Sequence, residues 1–477
     1  LLQALDPLGP QTVEIGGTEA GLDFDHLAID RALVREDMLD LAVRLDRPDA
    51  QPGGVEIGLP QEIAGNTGVR GQQTFELAIV LEDKFALVFD RHAKFVPMTS
   101  HQTIDDLPTP ALILDRAILR RNIKRMSERL RNAGVMLRPH LKTAKSVQVG
   151  RMAVEGHDGR ITVSTLAEAR YFANGGFKDI LYGVGVVPSK LAAVTELRRQ
   201  GVKLHVVTDN LAVAHAIAAA AINGDTFSVF IEIDSGGGRA GLPFPALPGL
   251  LDIGRVLHKA PGVELAGVMT HAGHSYPQST ADGIAAVAEQ ERLAIVTAAE
   301  KLRAAGIPCP IVSGGSTPTA LLSRDFTGIT EMRPGVYVFN DLDQEFIGSC
   351  GAGDIALSVL ASVIGHYPHR NQLLIDAGAL ALSKDISAQE FQPKVGYGTI
   401  AHAPARAMAV VDCSQEHGFV GAEDPLPYGN LPIGSRLRVL PNHACITAAA
   451  YDRYYVVDSD LDGGKSVVDV YDRINGW

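Results

Sequence analysis

The sequence lacks the features that mark membrane, secreted or nucleic-acid-binding proteins. No apolar run reaches about 18 residues, the length that a helix needs to cross a bilayer, so we expect no membrane span. Basic residues number 43 against 55 acidic ones, and the net charge of -12 argues against nucleic acid as a partner, because such a partner needs a basic surface. Residues 1–7 show no basic segment followed by an apolar stretch, so we expect no signal peptide.

Cysteine is also scarce, and its scarcity bears on the redox compartment. Four cysteines in 477 residues do not make a disulfide framework. We interpret Cys309 and Cys350 as buried thiols and assign no role to Cys413. A reduced, cytoplasmic protein is therefore expected. The length allows two or three domains, and a hydrophobic content of 46% is typical of globular proteins.

Residues 1–97 differ from the rest of the chain. Turn-forming residues cluster there, as in Asp46–Gly54, and apolar periodicity is short and broken. The pattern indicates one helix over Ile29–Leu45 and one strand over Phe75–Phe89, and it contains no chemical motif. We expect an extension of unknown role, loosely folded and unnecessary for catalysis, with the organised part of the chain beginning at Met98.

A regular alternation of strand and helix patterns begins after residue 107. Pro108–Asp115 is predicted to be a strand and Asp115–Ala133 a helix, because its apolar residues recur at helical spacing. Eight further strands alternate with helical segments; they are predicted over Val135–Leu141, Arg160–Thr165, Asp179–Val184, Lys203–Asp209, Ser228–Asp234, Leu265–His271, Ile311–Gly315 and Glu331–Gly335. Eight such units predict a TIM-type (β/α)8 barrel over residues 98–354, with a doubly wound open sheet as the alternative. The strand Pro108–Asp115 joins either this barrel or the domain that follows.

Residues 355–477 show strand patterns separated by turn signals. The predicted strands are Val359–His366, Gln372–Asp376, Ala407–Val411, Ser435–Leu440, Tyr454–Asp458 and Ser466–Tyr471. This pattern predicts a second, mainly antiparallel β domain.

A lysine follows the first predicted barrel strand, in the segment Arg138-Pro-His-Leu-Lys142. The active site of a parallel barrel lies at the carboxyl ends of its strands, so Lys142 is expected to point into the mouth. Partial desolvation there lowers the pKa of a lysine and makes its neutral amine available to form a Schiff base. The alternative is a solvated surface charge, and Lys145 is the second candidate.

Two glycine-bearing turns follow the seventh and eighth strands. Ser313–Thr319 and Arg333–Tyr337 contain Ser316, Thr317, Gly335 and Val336, and backbone N–H groups in such turns bind phosphate. Barrels often hold a phosphate with the loops after these two strands. A lysine on the first strand and phosphate loops on the last two would span one molecule of pyridoxal 5'-phosphate (PLP).

Polar residues also follow the other predicted strands and are expected to line the mouth. Each of them has a structural role as its alternative interpretation. They are Thr165, Tyr182, Asp209, Asp234, Arg239, His271, His274 and Tyr276.

A His-x-Cys pair lies in the second domain, in Pro441-Asn-His-Ala-Cys445. If the backbone is extended there, His443 and Cys445 share one face and could ligate one ion. Imidazole and thiolate are ligands that Zn²⁺ prefers. Two ligands do not complete a site, so a buried thiol beside a surface histidine stays the alternative.

The motifs together resemble a known family. It comprises the fold-type III PLP enzymes, in particular the D-serine dehydratase and D-threonine aldolase group, and the resemblance covers residues 104–477. The motifs that carry it are Leu107-Pro-Thr-Pro-Ala-Leu-Ile-Leu-Asp115, Arg138-Pro-His-Leu-Lys142, Ser164-Thr-Leu-Ala-Glu168, Leu181-Tyr-Gly-Val-Gly185, Ser313-Gly-Gly-Ser-Thr-Pro-Thr-Ala320, Asp376-Ala-Gly378, Glu416-His-Gly418, Pro441-Asn-His-Ala-Cys445 and Asn475-Gly-Trp477.

The resemblance implies specific roles for these residues. Lys142 would be the Schiff-base lysine, and His443 and Cys445 would bind a divalent metal, zinc in the first place, with manganese, cobalt or magnesium as alternatives. Loops around Ser316–Thr317 and Gly335–Val336 would hold the phosphate. Arg333 is the candidate that faces the pyridine nitrogen, with Tyr182 or Arg239 as alternatives. Thr165 and His271 complete the predicted cofactor contacts.

The resemblance also implies an activity. A PLP- and metal-dependent lyase would remove water from a D-β-hydroxy amino acid, converting D-3-hydroxyaspartate to oxaloacetate and ammonia, or D-serine to pyruvate and ammonia. A β-carboxylate on the substrate would need a cationic partner, for which Arg138, His140 and His271 are candidates. The alternatives are retro-aldol cleavage to glycine and an aldehyde, racemisation, and a non-catalytic PLP carrier. A homodimer is expected.

Overall fold

The computed structural model describes residues 103–221, 225–401 and 407–477, together with four short strands nearer the start of the chain. The chain forms two compact units, residues 1–97 and 98–477. In the first unit the four strands pair as two antiparallel ladders, Thr12–Val13 with Leu27–Ala28 and Ala42–Arg44 with Glu56–Gly58.

Two predictions fall on the first unit. The helix predicted over Ile29–Leu45 is wrong at Ala42–Arg44, which is a strand paired with Glu56–Gly58. The rest of that helix, and the strand predicted over Phe75–Phe89, lie outside the described residues.

The second unit begins with a strand that leads directly into a helix. Ala111–Asp115 is fully buried, and the helix Arg116–Asn132 follows it. Asp115 caps this helix, because its carboxylate accepts hydrogen bonds from the backbone N–H groups of Ala117 and Ile118. The strand pairs with Leu357–Tyr367 and Arg453–Val457, so it belongs to the antiparallel sheet.

The eight predicted barrel strands are all present and all parallel. Their order in the sheet is Met136–Leu137, Glu331–Met332, Ile311–Gly314, Val263–Met269, Phe227–Asp234, Lys203–Thr208, Asp179–Gly185 and Ile161–Val163. The short strand Leu242–Pro243 pairs with the end of Phe227–Asp234. The helices that connect or follow the barrel strands are Val147–Ala153, Leu166–Asn174, Leu191–Arg199, Leu211–Ala221, Leu250–Lys259, Ala281–Ala304 and Thr317–Leu322.

The first and last strands of this order meet at residues 139–141 and Thr162. His140 forms a parallel bridge with Thr162. Leu141 N donates to the carbonyl of Thr162, and Thr162 N donates to the carbonyl of Pro139, at 2.8 and 2.9 Å. These bonds curl the parallel sheet and bring its first and last strands together.

A buried ion network crosses the barrel interior. Arg138 is fully buried, and it pairs with Glu331 at 2.9 Å and with Asp179 at 2.7 Å. Burial alone would raise the pKa of Glu331, but the charge of Arg138 outweighs it and holds that pKa below its ordinary value. Arg160 pairs with the second oxygen of Glu331 at 2.9 Å. Arg138 is therefore committed to the interior of the barrel.

The C-terminal part forms an antiparallel barrel, closed because Leu357–Tyr367 pairs with both Gln372–Ile375 and Arg436–Leu440. Its other strands are Thr399–Ile400, Ala409–Cys413, Gly418–Gly421, Arg453–Val457 and Asp469–Asp472. Short helices also occur, at Leu342–Phe346, Ala379–Leu382, Ala444–Ala448 and Ser459–Asp462. Within the described part of the chain, no helix has the length and apolar character required to span a membrane.

Candidate active site

A cavity of about 350 Å³ opens at the carboxyl ends of the barrel strands. The residues that line it include His140, Lys142, Thr162, Ser164, Gly183, Gly185, Glu232, Arg239, His271, Gly315 and Arg333. A depression of about 440 Å³ lies elsewhere, beside the helix Ala281–Ala304, but its charged residues Asp282 and Arg324 pair with each other. The cavity at the barrel mouth is therefore the candidate site.

Lys142 reaches this cavity from the loop of residues 141–146, which we call the lysine loop. Its neighbour Lys145 is engaged elsewhere, because its ammonium group lies 3.1 Å from the buried carboxylate of Glu168. Glu168 also accepts a hydrogen bond from Ser164 N at 2.8 Å. The two candidate lysines thus differ in surroundings, and Lys142 is the one that lines the cavity.

Two histidines of the cavity are held in the neutral form. Burial, and after it the positive charge of Lys142, lower the pKa of His140 well below its ordinary value. The same two causes lower the pKa of His271 to about 3. Neither histidine supplies a cation for a substrate carboxylate near neutral pH, and Arg138 is engaged in the barrel interior. The predictions of these three residues as carboxylate partners are therefore not supported.

Arg333 is the buried cation of the cavity wall. Its guanidinium donates to the Ser313 hydroxyl and to the carbonyl of Thr270. With Lys142 and Arg239, it gives the cavity three cationic side chains. Glu232 also lines the cavity, and its carboxylate lies 3.9 Å from the guanidinium group of Arg239. The balance of charge favours an anionic ligand.

The two predicted phosphate loops lie side by side. Tyr337 N, next to Val336, donates to the Thr317 hydroxyl at 3.1 Å. Ser316 caps the short helix Thr317–Leu322, and its hydroxyl lies 2.8 Å from that of Ser275. A Cβ added at Gly335 would meet the carbonyl of His140 at 3.0 Å, so this turn packs closely against the lysine loop.

Several of the other predicted mouth residues instead organise loops. Thr165 caps the helix Leu166–Asn174 by accepting from Glu168 N at 3.0 Å. Asp209 accepts from Gly241 N, and Asp234 accepts from the N–H groups of Gly236 and Gly238. The sequence does not distinguish such roles from ligand contacts, because both use polar residues after strands.

Tyr182 also has a different environment from the predicted one. The hydroxyl of this buried side chain accepts a hydrogen bond from Lys190 at 2.8 Å, and its ring packs in the main hydrophobic core. It therefore does not support a contact with the pyridine nitrogen, whereas Arg333 and Arg239 both line the cavity. His274 lies on the short helical segment after His271, and Tyr276 directly follows that segment. Burial, and after it the charge of Cys445, raise the pKa of Tyr276.

His443 and Cys445 come together, but not through an extended backbone. His443 is the N-cap of the helix Ala444–Ala448, so Cys445 lies in the first turn of that helix. The shared-face prediction is wrong on this point. The two side chains nevertheless form a hydrogen bond, and His443 Nδ1 lies 2.9 Å from the carboxylate of Asp385.

The electrostatics of this pair follow from its neighbours. Burial alone would lower the pKa of His443, but the Cys445 thiolate and the Asp385 carboxylate raise it to about 11. Burial would raise the pKa of Cys445, and His443 outweighs this effect, so the pKa of the thiol is lowered. The thiolate is the form of cysteine that binds a metal.

The lysine loop and the His–Cys pair are in direct contact. The hydroxyl of Thr143, the residue after Lys142, lies 3.1 Å from Cys445 Sγ. Over residues 103–221, 225–401 and 407–477, no group of three or more His, Cys, Asp or Glu side chains is placed to hold a metal. His443 and Cys445 would therefore leave coordination positions open.

Sequence reasoning missed Thr143, Glu232 and Asp385. Glu232 lies in a buried strand, two residues before the predicted site residue Asp234. Residues two positions apart on a strand share one face, and this spacing was the available signal. Asp385 is 58 residues from His443 and carries no motif, so no signal indicated it.

Comparisons with known proteins agree with this architecture. The alanine racemase N-terminal domain model matches residues 114–343, and the putative serine dehydratase domain model matches residues 356–457. D-threo-3-hydroxyaspartate dehydratase of Delftia sp. (strain HT23) is 44% identical over 383 residues, which are 79% of this chain and 99% of that protein. D-serine dehydratase of Dictyostelium discoideum is 33% identical, over 76% of this chain and 96% of that protein.

Solved structures add the fold and a chemical detail. A cysteine-to-alanine mutant of D-threo-3-hydroxyaspartate dehydratase, described as the metal-free form, matches with a TM-score of 0.75 and 44% identity, over 79% of this chain and 100% of that one. This chain therefore belongs to the D-serine dehydratase-like family of PLP-dependent enzymes with the alanine racemase fold.

Proposed function

We propose that this chain is a PLP- and metal-dependent dehydratase of D-β-hydroxy amino acids, with D-threo-3-hydroxyaspartate as the preferred substrate and D-serine as the second. Water is removed, and the products are the keto acid and ammonia. One observation carries the proposal: the 3.1 Å contact between Thr143 and Cys445 joins a cavity lysine to a histidine–cysteine pair. A dehydratase needs both, one for the α-proton and one for the β-hydroxyl.

The cavity residues fit PLP. A volume of about 350 Å³ lies within the usual range of ligand pockets, which is roughly 300–1,000 Å³. Gly183 also lines the cavity and packs closely against Thr162, because a Cβ added there would lie 2.9 Å from the Thr162 methyl group. The buried Thr162 hydroxyl has no hydrogen-bond partner among the described residues, as expected of a group that awaits a ligand.

The roles of the PLP-binding residues follow from their positions. Lys142 would hold the cofactor, and Arg333 would face its ring nitrogen, because both side chains line the cavity. The turns at Ser316–Thr317 and Gly335–Val336 would hold the phosphate. When bound, PLP supplies an electron sink for the carbanion formed at the α-carbon.

His443 and Cys445 fit a divalent metal, zinc first. Asp385 occupies Nδ1 of His443 and leaves Nε2 for the ion, the arrangement in which a carboxylate orients a metal-binding histidine. When bound, the metal supplies a Lewis acid that makes the β-hydroxyl a better leaving group. The metal-free form described for the D-threo-3-hydroxyaspartate dehydratase variant supports a metal in the loaded enzyme.

The chain's own groups supply the proton chemistry and the binding. Lys142 lines the cavity, and its amine would accept the α-proton. The pKa values of His140 and His271 are lowered, so both side chains stay neutral and add no positive charge beside Lys142. The positive cavity binds an amino acid through its carboxylate.

Retro-aldol cleavage is the competing activity, because it uses the same lysine and a metal. The test is a panel of D-threo-3-hydroxyaspartate, D-serine and D-threonine, assayed for keto acid and for glycine, with and without a chelator. We expect keto acid, its loss on thorough metal removal, and its return when Zn²⁺ is restored. Glycine as the main product would refute dehydration, and full activity without metal would refute the role of His443 and Cys445.

The lysine assignment has its own matched pair of variants. Lys142→Ala should lose the visible absorbance of bound cofactor and reduce turnover by several orders of magnitude. Among the described residues, no other lysine lines the cavity and could replace it. Lys145→Arg should keep the absorbance, since arginine retains the charge that pairs with Glu168 and cannot itself hold the cofactor. Retained absorbance and turnover in Lys142→Ala would contradict the assignment.

A further inference from the structure

The C-terminal domain holds the backbone of the lysine loop at two adjacent carbonyl groups. Tyr454 Oη donates to the carbonyl of Ala144 at 2.6 Å. Ile474 N donates to the carbonyl of Lys145 at 2.9 Å. Both carbonyl groups come within three residues of Lys142, so the position of its side chain depends on residues more than 300 positions later in the chain.

Tyr454 is fixed by a buried cation. Its side chain is fully buried, and its hydroxyl accepts a hydrogen bond from Arg473 Nε at 3.1 Å. The guanidinium is itself buried and donates further to the carbonyl of Tyr451 at 3.4 Å and to the side chain of Asn475. A cation that donates to a hydroxyl polarises it, and in a low-dielectric interior this strengthens the bond that the hydroxyl donates.

The lysine loop needs external support because of its backbone. Lys145 has a φ of 46°, the left-handed region that residues with a Cβ rarely adopt. Within the loop, Lys145 N donates to the carbonyl of Leu141 at 2.7 Å. Such a turn persists when its surroundings over-determine it, and here they do so through Glu168 on the side chain and Ile474 on the carbonyl.

We propose that Tyr454, Arg473 and Ile474 form a clamp that positions Lys142 for cofactor binding and proton transfer. The clamp acts through the carbonyl groups of Ala144 and Lys145, so its members are positioning residues and not catalytic ones. This inference rests on the proposed function of Lys142. It also gives a role to the C-terminal segment that ends in Asn475-Gly-Trp477, because Asn475 Nδ2 donates to the carbonyl of Tyr451 at 2.6 Å and holds the segment in place.

Two variants weaken the clamp and two serve as controls. Tyr454→Phe removes one hydroxyl and keeps the buried ring, and a chain ending at residue 473 lacks the Ile474 N–H. The control for the first is Tyr455→Phe, since Tyr455 is the next residue of the strand and packs with a different hydrophobic cluster. The control for the second lacks Trp477 alone, a residue that is 99% exposed.

Each protein is measured first without cofactor and then with PLP. Hydrogen exchange of residues 141–146 is followed in the full-length, cofactor-free protein, and PLP affinity is then measured by titration. Borohydride reduction and peptide mapping identify the lysine that carries the cofactor. We expect both clamp variants to raise loop exchange and to weaken PLP binding by about tenfold, the equivalent of one buried hydrogen bond. The PLP affinity of both controls should stay within about twofold of that of the parent protein.

The outcomes separate the clamp from general packing and from the lysine assignment. Unchanged loop exchange and PLP affinity in the clamp variants would overturn the proposal, as would equal losses in the controls. If Tyr454→Phe does not fold, the shortened chain decides the question, because residues 475–477 are exposed. If mapping finds the cofactor on another lysine, the proposed function fails, while loop exchange still reports whether the clamp holds the loop.

Discussion

Replacing Asp385 tests whether the His443–Cys445 pair is a built metal site. The Asp385 carboxylate lies 2.9 Å from His443 Nδ1 and orients the ring beside Cys445. Loss of such an outer partner typically weakens metal binding by about 10–100-fold. Asp385→Ala removes the acceptor, whereas Asp385→Asn keeps an oxygen there and removes only the charge.

A second effect reduces the expected loss. The carboxylate also raises the pKa of His443, so a metal must displace a proton from it. Without Asp385 that competition is smaller, and the change in affinity at neutral pH should lie near the lower end of the range. We therefore expect about tenfold weaker Zn²⁺ binding in Asp385→Ala, which corresponds to about 1.4 kcal/mol, and a smaller loss in Asp385→Asn.

The assay is competition for Zn²⁺ against a chromophoric chelator at one fixed pH, with PLP present throughout. Asp424→Asn is the control, because it removes a carboxylate from an exposed position of the same domain. Zinc affinity within about twofold of the parent in Asp385→Ala would refute the reasoning, as would an equal loss in the control.

Two further predictions concern stability. Glu331→Gln should lower the free energy of unfolding by about 3 kcal/mol in a denaturant titration, the low end of the range for a broken buried ion pair, because Arg138 keeps Asp179 as its other carboxylate partner. The exposed Glu300→Gln should change little, and a similar small change in both would contradict the ion network. In the cofactor-free protein, the free energy of unfolding should fall as the pH drops from about 6.5 towards about 3. Over this range His271 is protonated in the unfolded chain but stays neutral in the folded protein, where its pKa is about 3. His271→Gln should make that pH dependence less steep, and an unchanged slope would contradict a neutral His271.

The barrel could be predicted because its strands and helices carry strong local patterns. Phe227–Asp234 has seven of its eight residues buried, and five of these seven are apolar, which is typical of a strand in a parallel sheet covered on both faces. Asp115 begins a helix where its side chain can cap it, and Lys142 follows a strand. Each of these signals involves residues that are close together in the chain, so it can be recognised in a single sequence.

The parts that could not be predicted depend on contacts between distant residues. Arg138 and His140 belong to the same segment, yet Arg138 lies inside the barrel and His140 lines the cavity, and only the partners Glu331 and Asp179 decide this. The strands Thr399–Ile400 and Gly418–Gly421 are short and are stabilised by pairing across the second sheet. The extended backbone that the shared face of His443 and Cys445 required is not present, because a helix begins directly after His443.

The site requires that the two domains of residues 98–477 keep a fixed relation. The barrel supplies Lys142, the C-terminal domain supplies His443 and Cys445, and a contact of 3.1 Å joins them. The chain path enforces this relation, since the strand Ala111–Asp115 pairs with Leu357–Tyr367 before the chain enters the barrel. A barrel without the second sheet would expose a fully buried strand, so the proposed meeting of Lys142 with the His443–Cys445 pair depends on both domains.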